Sequence, residues 1–105
     1  MAFQLIVLYN HPESAEDFDK HYDGTHAPLA ARLPGLRSYT ALRPAGDRPP
    51  YHLVAVLTFD DEAAFNAAMA SEEGQATAAD LANFAGAGVE MLMGPAGTIV
   101  CARRG

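Results

Sequence analysis

The chain predicts an α+β domain, a four-stranded antiparallel sheet with its helices on one face, in the order β-α-β-β-α-β. Three observations carry this. Segments rich in β-branched and aromatic residues recur four times, each bounded by Gly, Pro, Asp or Ser. Between the first and second, and between the third and fourth, apolar residues recur at intervals of three and four instead of two. The strands alternate so regularly that each face can be read residue by residue.

The first strand runs from Phe3 to Tyr9, with Phe3, Leu5, Val7 and Tyr9 on one side and Gln4, Ile6, Leu8 and Asn10 on the other. Pro12 follows, and Ser14 with Asp17 forms a capping box in which Asp replaces the usual Glu. A helix from Ser14 to Asp23 is expected, ended by Gly24. Thr25 then caps a second short helix with Pro28 in its first turn, where proline costs no hydrogen bond. One apolar register runs through both: Ala15, Phe18, Tyr22, His26, Leu29 and Leu33.

Pro34-Gly35 stops the helix, and Leu36 to Arg43 reads as the second strand. Pro44 to Pro50 is a turn by composition. The third strand, Tyr51 to Phe59, places Tyr51, Leu53, Ala55, Leu57 and Phe59 on one face. Asp60 or Asp61 caps a helix carrying Phe65 and Met69. Ser71 restarts it through Leu81 and Phe84, weakened by Gly74, and Gly86-Ala87-Gly88 closes it. Val89 to Arg103 returns as extended chain, broken at Gly94-Pro95. This order is the split βαβ, or ferredoxin-like, arrangement.

A sheet covered by helices on one face should show water a polar second face. Here Ile6, Leu8, Val54 and Val56 would leave an apolar patch on the order of a few hundred Å². A second copy packed sheet to sheet would cover it, so a homodimer is expected.

At 105 residues the chain is one domain. Its net charge of -6, with seven scattered Lys and Arg, argues against a nucleic-acid partner. No apolar run approaches the ~18 residues of a membrane span, and the N-terminus reads as a strand, not a signal peptide. The single cysteine, Cys101, lies in an apolar run and is expected to be a buried thiol. A reducing cytoplasm fits this usage.

His26 is the first candidate for chemistry, because an imidazole on an apolar stripe can exchange protons near neutral pH. The plainer alternative is that it bonds a backbone carbonyl at the Gly24 break. Tyr22, one turn earlier, either helps His26 or is a core aromatic. Tyr39 is similarly ambiguous. His52 shares a strand face with Val54 and Val56 and lines a cavity or the interface rim. His21 is expected to face solvent beside Asp17, and His11 to be a turn residue. Asp23 and Thr25 read as caps.

No spacing suits a metal, and the glycines of Gly86-Ala87-Gly88 lack a dinucleotide fingerprint. No cofactor is expected, although haem, which needs one axial histidine, stays open.

Tyr22, His26-Ala27-Pro28-Leu29, Leu33-Pro34-Gly35-Leu36 and Tyr39 together resemble the EthD family, named for a protein associated with ethyl tert-butyl ether degradation. The resemblance implies a homodimer whose sheets form a dimeric α/β barrel, with a cleft between each sheet and its helices. Relatives of this architecture include cofactor-free monooxygenases, polyketide cyclases, muconolactone isomerases and haem enzymes, so the fold leaves the reaction open. The expectation is a small apolar or aromatic organic ligand held by Phe18, Leu29, Tyr39 and His52. His26 and Tyr22 would be the catalytic pair of an oxidoreductase or isomerase. The alternative is a non-catalytic accessory or carrier protein supporting an oxygenase, with His26 structural.

Overall fold

Alternation along β1 (Ala2–Tyr9) decides which way the sheet faces. Phe3, Leu5, Val7 and Tyr9 are buried, and the residues between them are half-buried. β3 (Leu53–Phe59) repeats the pattern, and the pairs Leu5↔Leu57 and Val7↔Ala55 put both buried sets on one face. β2 (Leu36–Leu42) pairs with the far side of β3, and β4 (Val89–Ala96) with the far side of β1. The strand order is β2-β3-β1-β4, all antiparallel. This is the ferredoxin-like topology that the element order predicts. The computed structural model describes residues 1–99. Cys101 lies outside the described residues; within them the last strand ends at Ala96, and not in the extended run to Arg103 that the sequence predicts.

The helices are α1 (Ala15–His21), α2 (Ala27–Ala30), α3 (Glu62–Ala70) and α4 (Glu72–Phe84). Three starts are capped as the sequence indicates. Ser14 Oγ accepts from the Asp17 amide, Asp61 Oδ1 from Ala64 and Ser71 Oγ from Gly74, each satisfying a donor that the helix leaves open. Phe18, Tyr22, Leu33, Phe65 and Ala68 press onto the inner face of the sheet as one core.

Several expectations need correcting, among them Thr25 as a helix cap, since it lies inside a helical turn and α2 has no side-chain cap. Gly24 does not end a helix. The chain stays helical from α1 into α2 through a five-residue π-helical turn, Tyr22–His26, in which the Ala27 amide bonds the Tyr22 carbonyl. Pro28 gives the physical reason. Its ring has no N–H for the Gly24 carbonyl and would crowd it in a tight turn, and a wider turn relieves both problems. The extra residue shifts the buried register, so Ala30 and Leu33 follow His26 inward while Leu29 is only half-buried.

Gly94-Pro95 does not break the last strand, because Pro95 pairs with Phe3 and Gly94 with Gln4. β4 is an edge strand, where a missing N–H can face outward at no cost to the ladder. The third strand starts at Leu53, two residues later than expected.

Gly74 is a requirement of the α3–α4 corner, not a weakness. A Cβ there would overlap the Ala68 carbonyl oxygen and come within 2.7 Å of the Met69 carbonyl oxygen. Both obstacles are backbone and cannot swing away. Gly24 has open space around its Cβ position and no positive φ. Gly74→Ala should therefore lose about 3 kcal/mol, and Gly24→Ala should gain about 0.5 kcal/mol. Urea denaturation of the two variants checks this, with the opposite signs as the result to look for.

Candidate active site

α4 carries an acid on its inward stripe. Gly74, Thr77, Leu81 and Phe84 turn toward the core, and Asp80 shares their side of the helix, 6 % exposed. Three side chains converge on its carboxylate. Asn83 Nδ2 donates to Oδ1 at 2.9 Å. His21 Nε2 lies 2.9 and 3.0 Å from the two oxygens. His26 Nδ1 lies 3.0 Å from Oδ2. Burial alone would push the Asp80 carboxyl up, but the bonds from Asn83, His21 and His26 outweigh it and hold the group below the usual carboxylate range.

An ionised carboxylate only accepts. Each nitrogen facing it must therefore carry a proton, which fixes His26 as the Nδ1–H tautomer and leaves Nε2 with a bare lone pair. Burial pulls the His26 pKa down, Asp80 opposes this, and the net shift is below the ordinary histidine value. The ring is 4 % exposed, and the downward shift favours its neutral form. Its Nε2 is 3.4 Å from the Tyr9 hydroxyl, a long and weak contact. Phe84 closes the opposite side, with its ring centroid 4.7 Å from His26 and 5.0 Å from His21, on which it stacks.

A cleft of about 250 Å³ opens beside this imidazole, between the sheet and the helices. Leu5, Val7, Leu57, Phe65 and Leu81 form its apolar walls, and Tyr9, Tyr39 and Thr77 add hydroxyls. Met91 and Met93 of β4 also line it and are 43 % and 53 % exposed. A larger groove of about 710 Å³ lies on the other side of His21 and Phe84, lined by His11, Glu13 and Asp17. It is a polar surface depression without a buried base, so the smaller cleft is the better site for chemistry.

The expected residues are distributed as follows. His26 and Tyr39 line the cleft. Tyr22 is buried behind it, its ring 5.7 Å from those of His26 and Tyr9, and its hydroxyl bonds that of Tyr39. Burial raises the pKa of all three tyrosines, Tyr9, Tyr22 and Tyr39.

Phe18, Leu29 and His52 do not line the cleft. Phe18 is core, stacked on Tyr22. The π turn rotates Leu29 out of line. His52 precedes β3, packs on Phe18 and bonds Asp19 at 2.8 Å, which places it with the helices and not on the outer sheet face. His21 turns in to Asp80 instead of facing solvent beside Asp17, and His26 bonds side chains instead of a backbone carbonyl.

Asp80 and Tyr9 are the residues that sequence reading missed. An acid three residues after Thr77 and four before Phe84 was the available signal. Among the described residues no group of three or more His, Cys, Asp or Glu could hold a metal ion. The site's two imidazoles and carboxylate already use their facing atoms on one another.

The EthD domain family matches residues 10–88, a span that holds His21, His26, Asp80 and every helix. The chain belongs to the EthD family. An uncharacterized 11.0 kDa protein in the thcB-thcC intergenic region of Rhodococcus erythropolis is 39 % identical over 93 residues, covering 86 % of this chain and 90 % of that one. The crystal structure of an EthD family protein from Bacillus halodurans C-125 has a TM-score of 0.86 at 35 % identity, covering 91 % of this chain and 99 % of that one. SnoaB, a cofactor-independent oxygenase from Streptomyces nogalater, shares the fold at a TM-score of 0.68 and 20 % identity, over 94 % of this chain and 95 % of its own.

The EthD node should also register in stability against pH. The His26 pKa is lower folded than unfolded, so its contribution is complete above about pH 6.5 and is lost as pH falls toward the folded value. Asp80 is also lowered, so its contribution is complete above its ordinary value and disappears as pH falls through the folded one. Urea melts from pH 8 to pH 3 should show both losses. Asp80→Asn should remove the lower one and cost about 3 kcal/mol at pH 7, because one buried imidazole N–H loses its acceptor.

Proposed function

We propose that this EthD protein binds a small apolar or aromatic organic molecule in the cleft and transforms it without a bound cofactor, using His26 as the proton acceptor. The observation that carries this reading is a buried imidazole that faces the Asp80 carboxylate through Nδ1 and lines an apolar cleft. A substrate placed with an acidic C–H or O–H at Nε2 gives up its proton there. The imidazolium that forms is stabilised through Nδ1–H by the Asp80 carboxylate. The Tyr39 hydroxyl, held by Tyr22, donates to the oxygen on which negative charge develops. Tyr22 thus acts through Tyr39 and not on the substrate itself. The enolate or phenolate so made is a common entry to isomerisation and to oxygenation, which suits an architecture shared with SnoaB.

The outer sheet face supports the homodimer. Ile6, Leu8, Val54 and Val56 are only half-buried in one chain, and Leu42 and Leu92 at its margins are 55 % and 59 % exposed. Strand pairing aligns Ile6 with Val56 and Leu92, and Leu8 with Val54, so these side chains form one continuous apolar surface. A second copy docked sheet to sheet completes the dimeric α/β barrel. The setting we assign is the breakdown of organic compounds in the cytoplasm. No helix among the described residues is long and apolar enough to cross a membrane.

One observation favours the accessory or carrier reading. The Tyr9 hydroxyl already faces His26 Nε2, so the ring has a partner without any ligand. His26→Gln separates the two readings. With His26 as the base, the variant keeps the dimer in native mass spectrometry and loses about 100-fold or more in kcat on any substrate the parent turns over. Unchanged turnover, or loss of the dimer, would make the histidine structural.

A further inference from the structure

The polar groups of the cleft select one kind of ligand, and the selection rests on reading the cleft as the binding site. Among the described residues its lining holds no Lys, Arg, Asp or Glu. An anion entering it would exchange water for an apolar wall with no cation to pair with, and an ammonium would meet no carboxylate. Asp80 is spent on its own three donors. The ligand is therefore neutral on entry.

The hydrogen-bonding inventory narrows this further. Asp80 holds a proton on His26 Nδ1, so in the neutral ring Nε2 can only accept. Its contact with Tyr9 at 3.4 Å is too long to compete with a well-placed donor. Tyr22 stands behind Tyr39, outside the cleft wall, and its hydroxyl bonds that of Tyr39; with Tyr22 as the donor of that bond, the Tyr39 O–H is left for the cleft. Beside the Tyr9 and Thr77 hydroxyls, which can serve as either donor or acceptor, the polar end thus offers one fixed acceptor and one donor. Tyr9, Tyr22 and His26 are in mutual ring contact and Tyr39 is bonded to Tyr22, so both belong to one corner.

A phenol or enol oxygen satisfies both at once, with its O–H donating to Nε2 and its lone pair accepting from Tyr39. A ketone or an ether can accept from Tyr39 but leaves Nε2 with only its long contact to Tyr9. Room is sufficient for a single ring with a short chain, since a cavity of about 150 Å³ already admits benzene and this one is about 250 Å³.

We infer that the ligands of this cleft are neutral, weakly acidic hydroxyl compounds, phenols or enols, with one oxygen function and an otherwise apolar body. The hydroxyl enters toward His26 and Tyr39, and the apolar end lies toward Met91 and Met93.

The test is a titration of four probes into protein labelled with ¹³C at the methionine methyls and ¹⁵N at histidine. The probes are 4-butylphenol, 4-butylanisole, butylbenzene and 4-butylbenzoate. 4-Butylphenol should shift the Met91 and Met93 methyls and His26 Nε2, and bind about tenfold more tightly than 4-butylanisole or butylbenzene. 4-Butylbenzoate should give no saturable shift. In His26→Leu the phenol should lose its advantage over the anisole. Should that variant fail to fold, the probe series on the parent protein decides alone. Equal affinity for phenol, anisole and butylbenzene, or tighter binding of the benzoate, would overturn the phenol assignment and leave an apolar binding cleft standing. If no probe moves the Met91 and Met93 methyls, the cleft reading falls with it.

Discussion

A buried carboxylate with three donors is the constraint on which the rest of the site depends. Asp80 is 6 % exposed, and a charge at that depth is tolerable only if every neighbour contributes a proton. Asn83 comes from its own helix, while His21 and His26 come from α1 and the π turn, more than fifty residues away in sequence. Satisfying one charge therefore fixes how α4 docks against α1. It also fixes the tautomer of His26, and through it the character of the cleft's polar corner. Electrostatics, helix packing and acid-base chemistry meet in one group.

The backbone around His26 is adapted to the same end. An uninterrupted α-helix would carry the apolar stripe from Tyr22 through His26 to Leu29. Pro28 forbids a tight turn at Gly24, and the widened turn that replaces it brings Tyr22, His26 and Ala30 in succession onto the buried side. Leu29 would fill volume beside the imidazole, whereas Ala30 leaves it open as part of the cleft wall. A residue that looks like a helix breaker in the sequence thus helps create the space into which the histidine acts.

Much of the fold could be read from residue patterns because the two central strands, β1 and β3, obey a period of two without exception. Phe3, Leu5, Val7 and Tyr9 against Leu53, Ala55, Leu57 and Phe59 specify strand faces, register and the side on which helices lie. Ser14, Asp61 and Ser71 mark helix starts through a local hydrogen bond, which is a local sequence signal. What stayed hidden was non-local. Nothing near Asp80 announces that it will meet two imidazoles from the other half of the chain, and nothing near Tyr9 announces His26. Gly24, Gly74 and Pro95 carried misleading local signals. Their effect depends on a π turn, a close approach of α3 to α4 and an edge position, none of which a propensity contains. His26 could be singled out from the stripe, whereas Tyr39, ambiguous from the residues alone, is pointed to by the family resemblance. Phe18, Leu29 and His52 miss the cleft, because the π turn and the late start of β3 redirect the chain locally.

The most direct test of the central claim is the protonation of His26 itself, read from its two ring ¹⁵N shifts at pH 7. A carboxylate at Asp80 requires a protonated Nδ1 and a bare Nε2, so one nitrogen should show a pyrrole-type shift and the other a pyridine-type shift. A proton on Nε2 in the neutral ring, or a fully protonated ring at that pH, would mean that Asp80 does not hold His26 as a base. The proton-accepting role assigned to the cleft would then be lost.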